Sequence, residues 1–240
     1  MKKALIFYGG WDGHDPDKVS LIFRDILEKN GFSTDRYEGV ECLSDAEKLL
    51  TYDLIVPSFT MGEIPSQYVK NVSLAIRYGT GIAGCHGGMC DAFRNSTTWQ
   101  FITGGQWVSH PGNDGVTYTV KIHPSSSPIV EGIEDFEVTT EHYYMHVDPA
   151  VEVLASTRFP LVNYYHASNK PVDMPVVWTK YWGYGRVFYC SLGHNADFFK
   201  STPTATLLME RGMLWAADGK AYVKEHRLDI NKYDDPSKIY

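Results

Sequence analysis

Gly84-Cys85-His86-Gly87-Gly88 follows directly on an apolar run, Tyr78 to Ala83, and precedes a helix-compatible segment. The frame is Gly-x-His-x-Gly. Its serine counterpart, Gly-x-Ser-x-Gly, makes a strained strand-to-helix turn that lifts a nucleophile above the sheet of α/β-hydrolases. Here the lifted position holds a histidine. An imidazole serves well as base, acid or metal ligand, and badly as the carrier of a stable acyl group. The stretch therefore predicts an α/β sheet with a site at this turn, and argues against ordinary acyl-enzyme chemistry.

Outward from this turn, the first half of the chain alternates strand and helix patterns. Ala4 to Gly9 reads as a buried strand. Pro16 to Asn30 has helical spacing (Val19, Ile22, Phe23, Ile26, Leu27), with Asp15 as N-cap and Gly31 as the stop. Phe32 to Tyr37 and Asp53 to Pro57 read as strands, Pro65 to Tyr78 as a helix, and the next strand runs into Gly84. This alternation predicts a mostly parallel sheet covered by helices on both faces, a three-layer αβα sandwich. The second half adds strand patterns at Gly115 to Ile122, Phe136 to Tyr144, Val151 to Ser156, Met174 to Trp182 and Arg186 to Leu192. These are expected to extend the sheet with partly antiparallel strands, Tyr184-Gly185 making a hairpin turn. Pro203 opens a last helix to about Ala217.

With 240 residues, 43% of them hydrophobic, the chain can bury one substantial core, and neither a repeat nor a linker divides it. One domain is expected over residues 1–240, its core about 3–218, followed by a tail over 219–240 that turns polar from Asp229. A net charge of −7 and the lack of a Lys/Arg cluster exclude a nucleic-acid footprint. No apolar stretch approaches the roughly 20 residues of a membrane span. The start, Met1-Lys2-Lys3 leading into Ala4 to Tyr8, reads as too short for a signal peptide. The four cysteines, Cys42, Cys85, Cys90 and Cys190, lack paired spacing, so reduced thiols in the cytoplasm are expected. The 16 tyrosines and 6 tryptophans suit a sugar-like ligand, and equally a filled core and an interface between copies of the chain.

Ligands of open α/β sheets bind outside the carboxyl ends of the strands. His14, in Gly9-Gly10-Trp11-Asp12-Gly13-His14, and His86 both follow strands and meet this expectation. His110 stands before Pro111 and is held extended. Within Thr140 to His146, an extended chain puts Glu141, Tyr143 and Met145 on one face and His142, Tyr144 and His146 on the other. Glu141 and His142 are thus not expected to share a pocket. His194 follows the last strand. His86, His110 and His194 are candidate ligands for a divalent metal such as zinc, since three side chains plus a water make the usual catalytic zinc site. The His-x-x-x-His spacing of His142 and His146 falls in a strand-like segment, so no helical ligand pair is present, which counts against it. Cys85 is one residue out of the elbow position, which disfavours a Cys–His hydrolase, and no phosphate-binding glycine loop is present.

The stretches Tyr8 to His14, Gly84 to Gly88, Gly104 to Pro111, Glu141 to Tyr144 and Gly185 to His194 together resemble the ThuA-like (trehalose utilisation) proteins, over about residues 3 to 218. The resemblance implies a flavodoxin-like fold similar to the class I glutamine amidotransferases, whose elbow cysteine is replaced here by His86. It implies a part in bacterial use of trehalose or related disaccharides, including 3-keto derivatives, with His14, His86, His110, Glu141, Tyr143 and His194 as recurring polar residues. Thr140 stands where many relatives carry an acid, which counts against paired carboxylates. The expectation is a small-molecule enzyme, a hydrolase, lyase or isomerase but not an amidotransferase. His86, Glu141 and His194 would be catalytic, and Trp11, His14, His110 and Tyr143 would contact substrate. The alternative is a non-catalytic sugar-binding or regulatory protein on the same scaffold.

Overall fold

The structure, a computed structural model, describes residues 1–159 and 170–234. The strands and helices follow in the order β1 (Lys3–Gly10), α1 (Pro16–Lys29), β2 (Ser33–Glu38), α2 (Ala46–Leu49), β3 (Leu54–Thr60), α3 (Ser66–Arg77), β4 (Gly81–Cys85), α4 (His86–Cys90) and α5 (Thr97–Thr103). After these come β5 (Gly105–Ser109), β6 (Val116–Ile122), β7 (Phe136–Thr140), β8 (Tyr144–Val147), β9 (Glu152–Phe159), β10 (Val172–Trp182) and β11 (Gly185–Cys190). Three helices close the described chain: α6 (Ala196–Ser201), α7 (Pro203–Ala217) and α8 (Gly219–Glu225).

Nine strands form one sheet in the order β2-β1-β3-β4-β11-β10-β9-β6-β7. The first five run parallel, and β10, β9, β6 and β7 continue the sheet antiparallel, as the strand patterns led one to expect. Alternation along β1 divides the core between two faces. Ala4 and Ile6 pack with Val19, Phe23 and Leu27 of α1 and Leu208 and Met213 of α7. Leu5 and Phe7 pack with Val72 and Ile76 of α3 and Trp99 and Ile102 of α5. Each such fully buried aliphatic or aromatic side chain contributes roughly 1.5–3 kcal/mol. No helix among the described residues is long and apolar enough to cross a membrane.

Three local expectations change. Asp15 takes the N-cap position of α1 in a left-handed conformation (φ 47°) without a side-chain cap bond, and its carboxylate meets Lys18 instead. The hairpin turn is Gly183-Tyr184, one residue earlier than expected, because Trp182 pairs with Gly185. Gly183 has φ +60°, and a Cβ there would lie 2.6 Å from the Arg77 backbone, so only glycine fits comfortably. The strand from Phe136 stops at Thr140, and the chain resumes as β8, which pairs with β5 in a separate two-stranded ribbon. The tail holds α8 and, after Asp229, a 3-10 turn at Ile230–Tyr233, with Asp234 paired to Arg77 of the same chain; residues 235–240 lie outside the described residues.

Candidate functional site

The order β1-β3-β4-β11 has a consequence at the carboxyl ends of these strands. The chain leaves β1 and β11 for the face covered by α1 and α7, and leaves β3 and β4 for the opposite face. Diverging loops open a crevice there, the usual ligand position of such sheets. His14 enters it from the short turn after β1, Thr60 from the end of β3, His86 from the β4–α4 turn and His194 from the loop after β11.

The turn between β4 and α4 has the predicted elbow geometry. His86 adopts a left-handed φ of 47°, costly for a residue with a Cβ and typical of functional turns. Its carbonyl accepts the Tyr189 hydroxyl at 3.1 Å, which pins the turn to β11. Gly87 is required by a close approach: a Cβ there would stand 2.6 Å from Cε1 of His14. Cys85 packs in the core beneath α1 and α7 and lines the small cavity beside His14 and His86, and burial pushes its thiol well above the usual range. A thiolate nucleophile is not available at this turn.

Glu141, carried in where β7 ends, completes the cluster. Its Oε2 lies 3.0 Å from Nε2 of His86, 3.3 Å from Nδ1 of His194 and 3.9 Å from Nε2 of His14. The imidazole rings of His14, His86 and His194 meet pairwise at steep angles of 65° to 86°. Nδ1 of His86 donates to the Ser191 carbonyl at 2.8 Å, and Nδ1 of His14 shares a 3.0 Å hydrogen bond with the Thr60 hydroxyl. Donor atoms of His14, His86, Glu141 and His194 lie within 4.8 Å of one another, close enough to hold a metal ion. His110 stands one step outside this set, its Nε2 3.7 Å from Oε1 of Glu141.

Electrostatics follow from this crowding. Burial, reinforced by the neighbouring His86 and His194, lowers His14 to about 3. Burial also lowers His86, against the pull of Glu141. For Glu141 burial pushes upward, but His194 and His86 more than reverse it and hold the carboxylate well below its usual range. Closeness to Glu141 raises His194. The site thus keeps one ionised carboxylate beside two imidazoles that stay neutral.

Tyr143 is buried and lies flat on His86, ring centroids 3.9 Å apart. His110 and Trp107 continue the wall outward, and Arg94, tied to Asp91 by two hydrogen bonds, covers Trp107. On the other side Trp11 is 47% exposed, with its ring edge-on to His14. A cavity of about 10 Å³ lies beside His14 and His86, room for about one water. A larger molecule has to approach from the side of Trp11 and His110. A roomier groove of about 660 Å³ along residues 122–135 shares no residue with this centre. His142 turns away, stacked between Tyr118 and Phe159, as the two-face reading of the segment requires. Thr60 carries no motif that singles it out in the sequence, and Tyr189 and Ser191, though within the Gly185 to His194 stretch, are not singled out by residue type.

The fold and the elbow define a mixed α/β protein with a large, mostly parallel sheet, helices on both faces and a histidine at the strand-to-helix turn. The chain belongs to the ThuA family, described as trehalose utilisation, whose model matches residues 3–216. Among solved structures, a ThuA-like protein of Bacteroides uniformis is similar with 21% identity and a TM-score of 0.71, over 90% of this chain and 91% of that one. A ThuA-like protein of Parabacteroides merdae follows with 18% identity and a TM-score of 0.69, over 92% and 91%. A β-galactosidase of Bacillus circulans sp. alkalophilus shares 14% identity at a TM-score of 0.56, over 95% of this chain but 31% of its own. At such identities the likeness is one of fold. None of the curated proteins matches the chain.

Proposed function

We propose that this chain is a cytoplasmic enzyme of carbohydrate utilisation, acting on a small sugar derivative at the centre formed by His14, His86, Glu141 and His194. The observation that carries the reading is one carboxylate buried against three imidazoles, one of them on a strained turn, at the carboxyl ends of the parallel strands. Strongly perturbed titratable groups gathered in a crevice are characteristic of reactive sites. The family description, trehalose utilisation, supports a sugar-like substrate, and 3-keto disaccharides are the derivatives the family resemblance implies.

In this reading the buried members hold the centre, and the outer members meet the substrate. His86, 1% exposed, anchors Glu141 and is walled in by Tyr143. His110, whose side chain is 30% exposed, is the imidazole of the site nearest solvent and takes the role of proton carrier. Trp11 offers an open ring face against which sugar C–H groups pack. Hydrolysis, elimination and isomerisation of a keto sugar all need such a proton transfer beside a polarised oxygen.

The test is incubation of the purified protein with trehalose and with its 3-keto derivative, followed by NMR. The wild type is expected to convert one of them, with His110→Asn and Glu141→Gln slowed by roughly 100-fold or more while keeping native circular dichroism. Signals of either sugar that shift on binding without conversion by the wild type overturn the enzyme reading in favour of a binding protein.

A further inference from the structure

We propose that His14, His86, His194 and Glu141 together bind one divalent first-row transition ion of the zinc class. The inference deepens the enzyme reading and uses the same centre, but its argument is geometric and stands without a substrate.

The first observation is the tautomer of His86. The Ser191 carbonyl can only accept, so Nδ1 of His86 carries the hydrogen. In the neutral ring Nε2 is then a bare lone pair, and it faces Oε2 of Glu141, also an acceptor, at 3.0 Å. Two acceptors at this distance require a cation between them. A proton on His86 answers this one contact. It leaves Nδ1 of His194, a buried nitrogen without a hydrogen-bond partner, facing the same oxygen at 3.3 Å. It also leaves Nε2 of His14 aimed at that oxygen from 3.9 Å. A single metal ion satisfies all four donors at once.

Distances and donor types agree. Ligands each roughly 2.1 Å from one ion lie at most about 4.2 Å from each other. The 3.0, 3.3 and 3.9 Å separations around Glu141 fall inside that limit, and the largest separation in the set, up to 4.8 Å, closes with a small inward shift of the side chains. Three imidazole nitrogens and a carboxylate oxygen suit zinc and its first-row neighbours and not calcium or magnesium, which prefer oxygen. The remote nitrogens of His86 and His14 are held by Ser191 and Thr60, the support that metal-bound histidines ordinarily have. His110, expected from the sequence among the ligands, approaches the other carboxylate oxygen and belongs to the surround.

The experiment uses the full chain, stripped with a chelator and dialysed, then titrated calorimetrically with Zn²⁺ alone and spectroscopically with Co²⁺ alone. One ion per chain is expected, with visible Co²⁺ bands from nitrogen and oxygen donors. Glu141→Gln and His194→Ala are expected to weaken Zn²⁺ binding by roughly 100-fold or more, and His110→Asn to leave it unchanged. The Co²⁺ spectrum of the wild type needs no substitution and therefore decides even where a variant fails to fold. No binding heat together with no Co²⁺ bands, or undiminished binding in both ligand variants, overturns the site. A bound ion without turnover of any sugar overturns the enzyme reading alone.

Discussion

Gly87→Ala sets two effects of opposite sign against each other, and the structure decides between them. A methyl group at Gly87 would lie 2.6 Å from Cε1 and 2.7 Å from Nδ1 of His14, and 3.0 Å from Cγ2 of Thr60. Carbon atoms ordinarily meet at about 3.5–4.0 Å, so the His14 ring must retreat by about 1 Å. Its 3.0 Å hydrogen bond to Thr60 is lost in the process. Over-packing of this kind costs about 1–3 kcal/mol. Alanine in place of glycine within a helix returns roughly 0.5–1 kcal/mol. The clash wins by about 1–2 kcal/mol, a fall in Tm of roughly 2–8 °C for a chain of this length. Urea denaturation followed by tryptophan fluorescence measures the difference, and a double-mutant cycle with His14→Ala assigns it. Without the His14 ring the new methyl group meets only the tight Thr60 contact, and its cost should drop by about 1 kcal/mol or more. An equal cost in both backgrounds, or a Gly87→Ala protein as stable as wild type, refutes the claim that Gly87 exists to admit the His14 ring.

His142→Phe is expected to stabilise the protein by about 1–2 kcal/mol at neutral pH, because Nε2 of His142 is buried without a partner between two aromatic rings. Burial lowers His142 to about 4, so between about pH 6.5 and 4 the unfolded chain binds the proton more readily and wild-type stability falls with acid. The phenylalanine variant should show a flatter stability curve across that window in urea melts, and an unchanged slope there contradicts the assignment. Lys180 and Asp148 form a pair at 2.6 Å, with side chains 5% and 15% exposed. Removing the carboxylate in Asp148→Asn leaves a buried ammonium unpaired, at about 3 kcal/mol. Lys180→Met should cost less than half as much by the same melts, since Asp148 is nearer water and still accepts the Ala150 amide. Equal losses from the two changes would speak against this asymmetry.

The parallel half of the sheet was legible because its inner strands β1, β3 and β4 are buried on both faces and α1 and α3 each carry an apolar stripe. β1, α1, β3 and α3 fall within a few residues of where hydrophobic runs and turn residues put them. Legibility fails where pairing, rather than pattern, ends an element. Phe136 to Tyr144 reads as one continuous strand, yet β7 stops at Thr140 and the Glu141 backbone carbonyl accepts the Tyr118 hydroxyl at 3.0 Å instead of continuing the ladder. The glycine-rich Gly104 to Pro111 segment reads as turns and contains β5, a strand only because β8 lies beside it. Nothing local distinguishes such a segment from a loop.

The same division runs through the candidate site. His14, His86 and His194 stand out because glycines flank them at the ends of parallel strands, where the chain must turn sharply and ligands bind. Glu141 reaches them from the antiparallel extension, more than fifty residues beyond His86, so its distance to each imidazole is a tertiary fact. Assigning metal ligands from residue type and spacing alone favoured His110 over His14 and Glu141, although all five lie in one neighbourhood. What separates the inner four from His110 is orientation, and orientation depends on the remote nitrogens: the Ser191 carbonyl turns His86 and the Thr60 hydroxyl turns His14 toward the same carboxylate oxygen. A backbone carbonyl and a threonine hydroxyl have no signature in a single sequence. The turn at Gly84 to Gly88 locates this centre, but its chemistry is decided by acceptors that only the folded sheet brings behind the rings.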